Sequence, residues 1–197
     1  MIRDDQKGFS LVEMLVSVTV MMLALSGLAT LLIQNARINK SQRMTVEVQA
    51  NARNTLSMVV QRLRSAGWDP TNAGLPTINL DSDTSDANAE IEVFADLNED
   101  GDTLDAEEQT LIRHLGAAGQ IVWRPTSDVN DAFIVLSGDI SNDSDGDGTI
   151  EPMFVPDATP PTRITIQITA QSPAPDPTSG EFIRYTVSSD VVLRKAL

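Results

Sequence analysis

The chain has 197 residues, with 28 Asp and Glu against 14 Lys and Arg, a formal net charge of −14, no cysteine and one histidine. This length suits one domain with a real core plus an extra segment. The missing cysteines exclude a disulfide framework and thiolate metal sites, and a lone histidine, His114, excludes most hydrolase triads and all multi-histidine metal sites. Charge is divided unevenly: residues 1–8 are neutral, residues 9–66 carry six cations against Glu13 and Glu47 (+4), and residues 67–197 carry six against 24 acids (−18). Such an acidic C-terminal part repels phosphates, so nucleic acid is not an expected partner, whereas divalent cations and basic partners are attracted. Nothing in the pattern suggests an enzyme.

From Phe9 to Ile33 the chain is apolar with one charge, Glu13. At about 1.5 Å per residue the segment spans roughly 37 Å, enough to cross a bilayer core with some tilt. A secretory signal has a shorter apolar stretch followed by a small-residue cleavage site, and no such site follows here. The span therefore reads as retained. A carboxylate four residues into it is expensive unless protonated or paired.

The stretch KGFSLVEMLVSVTV resembles the prepilin cleavage and methylation motif of type IV pilins and type II secretion pseudopilins. The resemblance implies a leader, residues 1–8, cut between Gly8 and Phe9 by a prepilin peptidase that also N-methylates the new terminus. It further implies that Glu13 pairs with the N-terminal amine of a neighbouring subunit during assembly, a buried ion pair that selects register. The expected partners are thus other pilin subunits, the peptidase and N-methyltransferase, the pilus assembly machinery and the membrane. The expected location is a bacterial inner membrane, single-pass with the head outside the cytoplasm, and then the pilus. Counting cations alone, Arg37, Lys40 and Arg43 after the span argue for the opposite orientation; the family motif is followed instead. Thr30 stands where many major pilins have proline, which points away from a major subunit.

Beyond Ile33 no helix breaker appears until Gly67. Val48, Ala52, Leu56, Val59, Val60 and Leu63 keep three-and-four spacing, with Arg53, Asn54, Gln61, Arg62 and Arg64 opposite. Gly67 suits a C′ position, Pro70 prevents rapid resumption, and Arg62 and Arg64 complement the helix dipole. One helix over 10–66 is predicted, its first half (9–33) in lipid or filament core and its second half (34–66) packed on a sheet. The stretch NARNTLSMVVQRLRSAGWDP is similar to the corresponding part of PilW-type minor pilins and J-type pseudopilins.

The acidic head, 67–197, alternates β-prone runs with Gly, Pro, Asp and Asn clusters. Strands are predicted at 91–95, 120–124, 132–136, 163–171 and 182–194, and residues 71–90 read as a surface loop. The segment after residue 105 has helix propensity, although the family resemblance suggests a strand. The fold class is α+β: a long N-terminal helix on an antiparallel sheet, which is also what the pilin resemblance implies.

Two stretches fit calcium. Asp96, Asn98, Asp100, Gly101 and Glu107 match the EF-hand loop, with Asp102 giving its backbone carbonyl and Glu107 a bidentate carboxylate. An EF-hand-like loop between strands is expected, without flanking helices. Asp143, Asp145, Asp147 and Gly148 begin in the same way with Glu151 at the ninth place, but Phe154 holds the twelfth, so a ligand such as Asp139 or Asp157 has to come from elsewhere. Three readings result: a minor pilin of a type IV pilus, a type II secretion pseudopilin, and a membrane-anchored calcium-dependent adhesin.

Overall fold

The computed structural model describes residues 10–80, 90–105, 107–125, 131–158 and 161–193. A single helix, α1 (Leu11–Ser65), runs for 55 residues, about 83 Å at helical rise. Glu13 sits in its first turn, where a carboxylate complements the dipole, and Arg62 and Arg64 sit in its last. The helix ends where predicted. Gly67 takes φ 72°, a conformation that needs no Cβ, and its N–H donates to the Phe94 carbonyl at 2.8 Å, which fastens the helix end to the head.

The head holds β1 (Ile78–Leu80), β2 (Glu90–Phe94), β3 (Gln109–Leu115), β4 (Gln120–Arg124), β5 (Ile134–Ser137), β6 (Phe154–Pro156), β7 (Arg163–Gln171) and β8 (Arg184–Val192). A short 3₁₀ turn, Gly116–Ala118, joins β3 to β4. Among the described residues all pairings are antiparallel, in two sheets of order β1-β2-β3-β4-β5 and β6-β7-β8. The isolated bridge Ile140–Ala170 connects them. The expected single sheet is thus two. The stretch expected as loop contains β1, because Ile78–Leu80 can pair with β2. Helix propensity after residue 105 is overridden: β3 is held on both sides, by β2 and β4, and cross-strand pairing decides.

Helix α1 packs mainly on β7 and β8 and touches β2 and β5. Met44, Val48, Ala52, Thr55, Val59, Val60 and Leu63 are its buried residues, close to the predicted stripe. Val48, Ala52, Val59, Val60 and Leu63 share one core with Ile164, Ile166 and Ile168 of β7, all three isoleucines fully buried; each contributes about 1.5–3 kcal/mol relative to exposure. The other face is not simply solvated. Arg62 lies 4.6 Å from the Trp123 ring centroid and Arg53 5.7 Å from that of Tyr185, so two cations close the edges of the helix–sheet contact.

Candidate functional site

The first candidate site is the free half of α1. Its apolar window has mean hydropathy 2.2 and none of it is buried; Leu11, Leu23 and Met22 are 82%, 72% and 65% exposed. The hydroxyls in this segment are satisfied by the helix itself. Ser17 donates to the Glu13 carbonyl, Thr19 to Val16, Ser26 to Leu23 and Thr30 to Ser26, at 2.8–2.9 Å. Polar atoms placed in hydrocarbon need such partners. The Glu13 carboxylate is different: among the described residues no side chain or N–H meets it. Gly8 and Phe9 lie outside the described residues.

The second is the loop between β2 and β3. Asp96, fully buried, accepts the N–H groups of Glu99 and Asp100 on Oδ1 (2.7 and 3.1 Å) and of Gly101 on Oδ2 (3.1 Å). Gly101 supplies the φ of 89° that this turn requires. Asn98 donates from Nδ2 to Asp100 and to Asp105 at 3.1 and 2.7 Å. The Asp102 carboxylate accepts the Leu104 N–H.

Glu107, the residue at the twelfth place, is exposed. It takes φ 73° with its N–H tied to the Pro125 carbonyl, and this turn carries the next residue inward. Glu108, 2% exposed, therefore closes the loop. Its carboxylate accepts N–H from Leu97, Asn98 and Asp105. Carboxylate oxygens of Asp100, Asp105 and Glu108 come within 4.8 Å of one another. Asp105 and Glu108 were not among the expected ligands; the signal for the second was the tandem Glu107–Glu108, in which either acid can close the turn.

The third is the loop between β5 and β6, where Asp143, Asp145 and Asp147 bring oxygens within the same distance. Asp143 accepts N–H from Gly146 and Gly148, and Arg184 of β8 stands 3.9 Å from it, a cation that sequence spacing did not reveal. The Thr149 N–H and hydroxyl hold the Asp147 carboxyl below its ordinary pKa. Glu151 is engaged elsewhere, accepting the Ser144 N–H and hydroxyl. Asn142, fully buried, donates to the Glu151 carbonyl and accepts the Thr169 N–H, mounting the loop on β7. Asp157 is occupied in its own turn, where the Thr162 hydroxyl and the N–H groups of Arg163 and Thr162 hold its pKa down to about 2.

Residues 3–29 match the prokaryotic N-terminal methylation motif. Neither a curated protein nor a solved structure matches the chain. The motif, joined to one long apolar helix packed on antiparallel sheets, supports a type IV pilin-like protein, a structural subunit of the pilin or pseudopilin kind. It implies processing by prepilin peptidase and assembly with other pilins. With the free apolar helix it fits anchorage in the inner membrane.

Proposed function

We propose that the chain is a minor pilin, processed between Gly8 and Phe9 and then incorporated into a type IV pilus with its head outside the cytoplasm. The observation that carries this reading is Glu13. It is a carboxylate that meets no partner among the described residues, on a helix half whose hydroxyls are all satisfied by the helix itself and whose apolar window is entirely uncovered. A plain tether has no use for such a charge, whereas a filament supplies both the apolar cover and the cation. The pseudopilin reading shares this geometry.

Deleting the gene in the host, then counting surface pili and assaying exported proteins in the same cultures, separates the readings. Loss of pili with normal export supports the minor pilin. Normal pili with failed export moves the protein to type II secretion, and no change in either favours the anchored calcium-dependent adhesin. Glu13→Ala should abolish incorporation while the precursor stays in the membrane.

The head, on the same reading, is stabilised by calcium in the loop built on Asp96. Asp100, Asp105 and Glu108 offer three close carboxylates with no lysine or arginine among them, and hard oxygen donors suit calcium. An ion there displaces the Asn98 amide nitrogen from between Asp100 and Asp105. For an extracellular module with Kd near 10⁻⁴ M, 2 mM calcium stabilises by about 2 kcal/mol, roughly 4–8 °C in Tm. An unchanged melt at millimolar calcium and physiological salt removes this element.

A further inference from the structure

Arg37, Lys40 and Arg43 play no part in the packing just described. All three are exposed, and among the described residues none has an ion pair or hydrogen bond within the chain. Three-residue spacing on a helix sets them within about a third of the circumference, over roughly 9 Å of axis. They occupy a defined level of the molecule. Ile33 closes the apolar run, and the head begins where Ser41 donates its hydroxyl to Asp176 of the β7–β8 connection and Met44 enters the core. Arg37 therefore lies about 6 Å beyond the apolar run, Lys40 about 10 Å and Arg43 about 15 Å.

With the apolar run in the hydrocarbon, the headgroup layer extends about 5–8 Å beyond the core, so the Arg37 backbone stands within it and those of Lys40 and Arg43 lie just above it. Long cationic side chains reach back several ångströms to phosphate level along their own methylene stems. The position also bears on the head. Its charge of −18 over 67–197 is repelled by an anionic surface, and a cationic arc at its base offsets this where the two approach.

We propose that Arg37, Lys40 and Arg43 form a docking collar for anionic phospholipid headgroups in the leaflet facing the head, which sets the depth of the membrane-held subunit before assembly. The inference rests on the membrane-anchored pilin reading. It also gives a purpose to cations that stand on the head side of the span, against the usual orientation of charge.

The test uses the full-length chain in lipid vesicles. Because the sequence contains no cysteine, Asn39→Cys accepts a single fluorophore at the collar. Quenching is compared between headgroup-spin-labelled phosphatidylglycerol and phosphatidylcholine. Enrichment of the anionic lipid is expected, about fivefold for each engaged cation at low salt, declining as salt rises. The triple variant Arg37→Gln/Lys40→Gln/Arg43→Gln should abolish the enrichment while still resisting alkaline extraction from the vesicles. Equal quenching by both lipids, or enrichment that survives the triple variant, overturns the proposal. So does a triple variant that leaves quenching unchanged but abolishes co-purification of two differently tagged copies, which assigns the collar to a subunit interface. If the unsubstituted chain is itself removed by alkaline extraction, the anchored reading fails instead.

Discussion

Truncating Leu63 to alanine isolates the contact between helix and head. Leu63 is fully buried on the last turn of α1, in the same core as Val59, Val60 and the isoleucines of β7. Removing a buried leucine side chain costs about 2–5 kcal/mol, with the spread set by how far the site collapses. Against a total stability of about 5–15 kcal/mol this is large, and at about 2–4 °C per kcal/mol it lowers Tm by roughly 4–20 °C. Tryptophan fluorescence of the full chain in detergent micelles is a suitable assay. Both tryptophans, Trp68 and Trp123, lie beyond the apolar segment, so the signal reports the head. Leu56→Ala, at a half-buried position, should cost less, and Leu23→Ala, 72% exposed, should fall within about 0.5 kcal/mol of the parent. A Leu63→Ala loss below about 1 kcal/mol, or an equal loss for Leu23→Ala, would refute the packing of this stripe on the sheets.

Three more outcomes follow from buried or bonded polar groups. His114 is fully buried, with Nε2 3.3 Å from the Ile140 carbonyl and Nδ1 without a partner among the described residues. Burial depresses its pKa below 6.5, opposed in part by that carbonyl. The unfolded chain then binds the extra proton, so stability falls as pH drops below about 6.5; denaturant midpoints at pH 7.5 and 5.5 should differ in the parent and converge in His114→Leu. Asp96→Ala strands the N–H groups of Glu99, Asp100 and Gly101 and should cost about 1–3 kcal/mol in urea unfolding. The Asp176 pKa is lowered to about 2 by the Thr178 hydroxyl first, then the Thr178 N–H, with smaller help from Ser41 and Ser179. Its contribution is present above pH 3.8 and lost as pH falls toward 2, so Asp176→Asn should flatten the acid limb of the stability profile between pH 4 and 2.

The features legible in the sequence are those with a local cause. An uninterrupted apolar run with one carboxylate, a three-and-four stripe and a glycine at Gly67 specify the long helix almost to the residue. Strict alternation gives β7 its bounds of 163–171, and β4 is bounded by the polar Gln120 and by Pro125. The acidic loop that begins at Asp96 was legible because aspartate, asparagine and glycine recur there at calcium-loop spacing, whereas the part Asp96 plays in holding the loop's own N–H groups was not. The missed features depend on partners far along the chain. β3 is a strand because β2 and β4 flank it, despite its helix propensity. β1 exists because β2 offers Ile78–Leu80 an edge. Glu108 rather than Glu107 faces the loop because the Pro125 carbonyl, 18 residues away, fixes the backbone of Glu107 at positive φ. Arg184 reaches Asp143 only through the pairing of β7 with β8. The sequence by itself thus determined the helix, its exposed apolar half, Glu13 and the acidic loops, all written in short-range periodicity and turn chemistry. Strand neighbours, the division into two sheets and the choice between adjacent carboxylates were decided by tertiary structure, because pairing energies depend on residues that spacing along one segment does not contain.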